Sequence, residues 1–279
     1  MKTLKTAFLL TALTLLLLFL GLAFGGERGM TMALVFAVLM NATAYFFSDK
    51  IALMSSGAQP ISKEQAPRLY EVMERLAGKS NLPMPKMFLI PQAAPNAFAT
   101  GRNPSHASVA VTQGLMELMD DEELEGVIAH ELSHVRNYDI LTSSIAATIA
   151  GAITWVARMG FWFGGGGGNR ERGGGLTGIL MLILAPFAAL LLQMGISRQR
   201  EYQADASGAR MVGHPYGLIR ALEKLGAYNK RIPMDVPPTT SALMIVQPLS
   251  AGQLFSSLFS THPPLADRIA QLRAMTVVR

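Results

Sequence analysis

The chain has 279 residues, enough for one or two domains, and half of it is hydrophobic against 15% charged, a balance that makes membrane insertion the first expectation. It contains no cysteine, which excludes disulfides and thiolate ligands, so any metal must rest on His, Asp and Glu. A net charge of +5 raises the question of nucleic acid, but the basic residues are scattered and no aromatic-basic motif accompanies them, so anionic lipid headgroups account for the excess more simply.

Lys2 and Lys5 precede an apolar run from Ala7 to Phe24 that is long enough to cross a bilayer core of roughly 30 Å. A cleaved signal peptide ending at Ala23-Phe24-Gly25 is the competing reading, and the length of the run argues against it. A tight connection at Gly25 to Gly29 leads into a second uncharged run, Met30 to Phe47, that ends at Ser48-Asp49-Lys50. The two runs predict a transmembrane hairpin. Lys2, Lys5, Lys50 and Lys63 flank it while Arg28 alone lies between, so the positive-inside rule puts both ends in the cytoplasm.

From Ile51 the composition becomes that of a water-soluble domain. Leu69, Val72, Met73 and Leu76 fall at i, i+3, i+4 and i+7, predicting an amphipathic helix that starts near Ser62 to Pro67 and stops at Gly78. Short apolar runs at Lys86 to Ile90, Asn96 to Thr100 and Ser108 to Thr112 predict a small sheet, one edge of which is available to an extended peptide.

Asp120 with Glu123 three residues later is a D-x-x-E capping box, and the apolar stripe Leu124, Val127, Ile128 and Leu132 predicts a helix running from it. That helix carries His130-Glu131-Leu132-Ser133-His134, an H-E-x-x-H. At helical spacing its two imidazoles share a face and reach one zinc ion, with Glu131 as general base. The helix continues or bends at Asn137-Tyr138-Asp139 and enters a third apolar run, Ile140 to Ala157, made weaker by its Thr and Ser residues. Gly164 to Gly168 and Gly173 to Gly175 flank Asn169 to Arg172 and lack the G-K-[ST] of a phosphate loop, so they read as a flexible connection. Leu176 to Ile196 is a fourth apolar run, kinked at Pro186. Beyond it Pro215 to Leu225 predicts a helix stopped by Gly226, and Leu265 to Met275 a closing amphipathic one.

A catalytic zinc takes three protein ligands and keeps a position for water. His130 and His134 leave one ligand to find, and Glu201 is the best candidate, because it follows the fourth apolar run as His134 precedes the third. Two crossings, or a buried hairpin, return the chain to the same face. Asp205, one turn on, either supports a zinc-bound histidine from its outer nitrogen or is a plain surface acid. Glu131 takes a proton from the activated water and later delivers it to the leaving amine. His106 and His214 have no acid or second histidine at ligand spacing and read as structural or exposed.

With these residues in view the chain resembles the HtpX-type membrane metalloproteases, relatives of the CaaX prenyl proteases in the gluzincin group of zinc peptidases. The resemblance runs nearly end to end. It rests on Asn96-Ala97-Phe98-Ala99-Thr100-Gly101, the H-E-x-x-H, Glu201-Tyr202-Gln203-Ala204-Asp205, and Thr261-His262-Pro263-Pro264 with Arg268 downstream. It implies that Glu201 is the third zinc ligand and Asp205 a supporting acid. It further implies that Asn96, Ala97, Phe98 and Ala99 form the edge strand that lies along the substrate, and that His262 and Arg268 stabilise the tetrahedral intermediate. It also implies a bacterial inner-membrane endopeptidase with a cytoplasmic catalytic domain, acting on misfolded or damaged membrane proteins.

The expectation is therefore an α+β integral membrane protein, mainly helical, with about four transmembrane helices and a zincin-like domain carrying a small β-sheet. Residues 1–50 form a first membrane hairpin, 51–139 the first part of the protease domain, 140–197 a second hairpin with the Gly-rich loop, and 198–279 the rest of the protease domain. One Zn2+ per chain is the expected cofactor. The alternatives are a catalytically silent zinc-binding membrane scaffold, which the intact Glu131 and a three-ligand site weigh against, and a processing protease of the CaaX type, for which four apolar runs are few.

Overall fold

The computed structural model describes residues 2–150, 197–229, 243–245 and 263–275. Its first element, α1 (Lys2–Ser55), is two helical arms joined at Gly26, whose φ of 60° and ψ of −150° are open to glycine and strained for other residues. The arms fold back so closely that a Cβ on Gly29 would collide with the Gly21 carbonyl. The spans Thr6–Ala23 and Gly25–Ser55 are long and apolar enough to cross a membrane, and only 17% and 11% of them is buried within the protein, unlike the core helix of a soluble domain. Phe8, Leu15, Phe19, Val35, Phe36 and Leu39 face outward. Between the arms the Asn41 Nδ2 donates to Thr14 Oγ1 at 2.8 Å, a polar tie within an apolar pair.

The second arm does not stop at Ser48-Asp49-Lys50. It runs on to Ser55, because those residues are compatible with helix and the first backbone break comes at Gly57, with φ of +68°. Polar residues there mark a change of surroundings, not the end of the helix. Its last turns bury Ala52 and Leu53 against Ile90, Phe98 and Ala110 of the sheet.

The sheet consists of β1 (Gln59–Pro60), β2 (Lys86–Ile90), β3 (Ala97–Gly101) and β4 (Ala107–Thr112) in the order β1-β2-β4-β3. β2 and β4 run parallel, and the outer pairs are antiparallel. The helices are α2 (Pro67–Lys79), α3 (Gln113–Leu118), α4 (Asp121–Arg136), α5 (Asp139–Ala150), α6 (Arg198–Val212), α7 (Tyr216–Asn229) and α8 (Leu265–Ala274). β1 and α3 had no signal strong enough to predict them, being two and six residues long. α7 runs through Gly226 instead of stopping there: a Cβ at that position would stand 2.9 Å from the Leu265 side chain, so the glycine serves the packing of α8 on α7.

The core joins the α2 stripe (Leu69, Val72, Met73, Leu76) to the α4 stripe (Leu124, Val127, Ile128, Leu132), with Val109 and Val111 of β4 and Leu218 and Leu222 of α7. α4 lies at its centre because three glycines let backbones meet it. A Cβ on Gly126 would come within 2.5 Å of the Leu218 amide, one on Gly217 would collide with the Glu122 carbonyl, and one on Gly208 of α6 would stand 3.0 Å from the His130 amide.

α4 ends at Arg136, and Tyr138, at φ 60°, turns the chain before α5 begins. α5 packs Ile145, Ala146, Ile149 and Ala150 on Leu9, Leu13 and Ala44 of α1. Its hydroxyls explain its weak apolarity: Thr142 Oγ1 lies 3.0 Å from Thr6 Oγ1, and Ser144 Oγ 2.7 Å from Thr100 Oγ1 of β3. Among the described residues two helices are long enough to span a bilayer. The remainder of the third apolar run, the Gly-rich stretch and the fourth run lie outside the described residues, as does His262.

Gly217→Ala tests the close crossing of α7 on α4. Helix propensity favours the alanine by about 1 kcal/mol, whereas overpacking against a backbone carbonyl costs about 1–3 kcal/mol. A lower thermal unfolding midpoint of the detergent-solubilised protein is expected, and an unchanged or higher one would show that the spacing is not limiting.

Candidate metal centre

The register of α4 is set at its start. Asp120 Oδ1 accepts the Glu123 amide at 2.9 Å while Glu123 Oε2 accepts the Asp120 amide at 2.9 Å, the reciprocal capping box. Ten residues on, His130 and His134 share one face and their Nε2 atoms lie 3.2 Å apart. Glu201, from the first turn of α6, brings Oε1 to 3.5 Å from His134 Nε2 and Oε2 to 3.7 Å from His130 Nε2.

These separations test the fit of a metal. Ligands on bonds of about 2.0–2.2 Å around a tetrahedral ion stand roughly 3.3–3.5 Å from one another. The three donors therefore already lie near the edges of such a tetrahedron, and His, His and carboxylate is a donor set that suits zinc.

Behind His130, Asp205 Oδ1 lies 2.8 Å from Nδ1. Arg268, fully buried, grips that carboxylate with Nε at 2.8 Å and Nη2 at 2.6 Å, and its Nη1 donates to the Ile245 carbonyl at 2.8 Å. Each guanidinium nitrogen thus has a hydrogen bond, and Nη1 also lies 3.9 Å from Glu201 Oε2. Arg268, expected from the resemblance to donate to a reaction intermediate, is engaged here by Asp205 and the Ile245 carbonyl.

His134 has a second acid that the sequence reading missed. Its Nδ1 lies 3.5 Å from Asp139 Oδ2, and Asp139 Oδ1 lies 3.4 Å from Arg200 Nη1. Helical periodicity could not find Asp139, because the left-handed turn at Tyr138 separates it from α4. An acid soon after the second histidine was the only available signal.

Glu131 is 2% exposed. Burial pushes its carboxyl up to about 7, with Glu201 adding to the rise and His134 and the Ala99 backbone amide opposing it. Burial lowers the His130 imidazole against the pull of Asp205. Burial lowers His134 too, but Glu201, Asp139 and Glu131 outweigh it and lift that ring to about 9. A field that draws a proton onto His134 draws a metal cation for the same electrostatic reason. Burial would raise Asp205, but Arg268 overrides it and holds the carboxyl at about 2.

Ala97, Phe98 and Ala99 lie in β3, with Asn96 at its entry, where the Asn96 amide donates to Thr112 Oγ1 at 2.8 Å. β3 ends the sheet, but its outer edge is not bare: the Ile245 amide donates to the Ala97 carbonyl at 3.0 Å. His106 lies apart from the centre, exposed, with Nδ1 2.9 Å from Asn103 Oδ1. His214 stacks on Tyr216 and lies 3.6 Å from Glu122.

The depressed Asp205 sets a pH dependence. Its folded value of about 2 lies below an unfolded value of about 3.9, so its contribution to stability is present above pH 4 and lost as pH falls toward 2. Denaturant unfolding of the metal-free protein from pH 5 to 2 should show this loss, and Asp205→Asn should flatten it. An equally steep fall in the variant would assign the loss to other groups.

A family model described as Peptidase family M48 matches residues 63–276. Curated relatives carrying the description "Protease HtpX homolog" include one from Desulfatibacillum aliphaticivorans, 56% identical over 273 residues, which covers 96% of this chain and 88% of that protein. Another, from Thermodesulfovibrio yellowstonii, is 51% identical over 279 residues and covers 99% of each. Among solved structures the fold is similar to the crystal structure of S. mikatae Ste24p, with a TM-score of 0.53 and 22% identity, over 97% of this chain and 64% of that one.

Proposed function

The chain belongs to peptidase family M48, and on that premise we propose that it is a zinc-dependent integral-membrane endopeptidase of the HtpX type that cuts misfolded or damaged membrane proteins. The observation that carries the zinc reading is the donor triangle of His130, His134 and Glu201 with buried Glu131 beside it. Zinc, when bound there, supplies Lewis acidity that polarises a peptide carbonyl and lowers the pKa of water to about 7.

The chain's own residues do the rest. Glu131, with a pKa of about 7, is poised near neutrality both to accept a proton from water and to return it to the leaving amine. The Ala99 amide fixes its carboxylate at the margin of β3. A substrate laid along Asn96, Ala97, Phe98 and Ala99 would take the place of the Ile245 amide that bonds the Ala97 carbonyl and present its backbone beside that carboxylate, which supports these four residues as the peptide-binding edge. His262 is proposed as the donor to the developing oxyanion, on the family resemblance. Arg268 and Asp205 hold His130 in the tautomer that turns Nε2 inward.

The exposed apolar surface of α1 supports a bilayer as its surroundings. The lysines at positions 2, 5, 50 and 63, against Arg28 alone in the connection, support a cytoplasmic N-terminus and catalytic domain at a bacterial inner membrane.

Glu131→Gln should bind zinc like the wild type and lose about 10²–10⁴-fold in cleavage of an unfolded membrane-protein substrate. Glu201→Ala should lose the metal. Proteolysis by the first variant at the wild-type rate would remove Glu131 as the base, and full zinc stoichiometry in the second would require a different third ligand. A reporter fused after Lys50 should report the cytoplasm, and a periplasmic signal would reverse the orientation.

A further inference from the structure

His130 and His134 are supported by two relays of the same composition. In the first, an acid (Asp205) faces the outer nitrogen of the histidine and an arginine (Arg268) holds the acid. In the second, Asp139 lies 3.5 Å from His134 Nδ1 and Arg200 lies 3.4 Å from Asp139. We propose that Asp139 is the positioning residue of His134, held by Arg200, and that this second relay contributes to how tightly and how lastingly the centre keeps its metal. The inference rests on the zinc reading above.

Three features of the chain support it. Asp139 opens α5 directly after the left-handed Tyr138, so the turn that ends α4 swings its carboxylate back under the helix's last histidine. Arg200 immediately precedes Glu201, so one arginine–acid contact ties the segment bearing both histidines to the segment bearing the third donor. The second relay is also the looser of the two. Its contacts are 3.5 and 3.4 Å against 2.8 and 2.6 Å, and the His134 side chain is 15% exposed against 1% for His130.

An outer acid fixes the ring orientation and tautomer of a metal-bound histidine, and its removal typically weakens metal binding 10–100-fold. At the tight Asp205 relay the full range is expected, and at the looser Asp139 relay a loss of about tenfold. The competing role for Asp139 is a cap on the first turn of α5. Asparagine caps as well as aspartate, so substitution separates the two roles.

The experiment uses the full-length protein in detergent, with zinc dissociation constant and release rate measured by chelator competition, the visible spectrum of the cobalt-substituted protein, and the thermal midpoint of the metal-free form. Asp139→Asn is expected to weaken zinc about tenfold, speed its release and shift the cobalt bands while leaving the metal-free midpoint unchanged. Arg200→Lys should retain zinc better than Arg200→Ala. If Asp139→Asn and Asp139→Ala both hold zinc like the wild type, or if Asp139→Ala only lowers the metal-free midpoint, Asp139 is a structural cap and the inference fails. If the wild type binds no zinc, or binds it unchanged in Glu201→Ala, the failure lies in the zinc reading and takes this inference with it.

Discussion

Everything around α4 follows from burying ionisable groups that must not be left alone. His130, Glu131, Glu201, Asp205 and Arg268 are each 3% exposed or less. An isolated buried charge costs several kcal/mol, so each group needs a partner or a changed protonation state. Asp205 and Arg268 satisfy one another through two hydrogen bonds. Glu201 faces two imidazoles, and next to it Glu131 is pushed up to about 7 and His134 to about 9. Protons are thus drawn to Glu131 and His134, whereas burial disfavours one on His130. A divalent cation there satisfies the same imbalance without them, which is why the donor geometry and the electrostatics lead to one reading.

Holding such a cluster requires a backbone that does not yield. The capping box fixes where α4 begins, and Gly126, Gly208 and Gly217 let α6 and α7 approach it at backbone contact. The sheet is tied in from the other side. The second arm of α1 leaves the apolar hairpin as unbroken helix and buries Ala52 and Leu53 against Phe98 of β3. α5 links both, through Thr142 to the first arm and through Ser144 to Thr100. The strand beside Glu131 is therefore positioned by the same helices that form the apolar hairpin, so a shift of the hairpin would be felt at β3.

Local signals in the sequence carried far. The 3.6-residue stripes of α2 and α4, the capping box, the three longer strands and the two arms of α1 are all visible as patterns of neighbours, because their causes are local. Glu201 is legible from chain direction, whereas Asp205, one turn on, reads from spacing alone as either a supporting or a surface acid. What the sequence hid depended on turns and on distant contacts. Asp139 meets His134 only because Tyr138 adopts a left-handed conformation, and Ile245 reaches the edge of β3 from about a hundred and fifty residues away in the chain. Gly226 misled because a glycine inside a helix has two causes, termination and close packing, and only the position of Leu265 decides between them. Arg268 was placed in the site by resemblance, but which way its guanidinium points is a property of packing.

The two relays also give the centre a direction. On the His130 side an acid and a fully buried arginine close it with short contacts. On the other side His134 and Asp139 keep about 15% of their side-chain surface exposed, and their contacts are longer. Among the described residues the more exposed side of the centre is therefore that of His134, where α4 ends, α5 begins and α6 starts. Those are also the points at which the chain passes into and out of its apolar runs. The same openness leaves His134 with longer contacts to its outer acid than His130 has to Asp205.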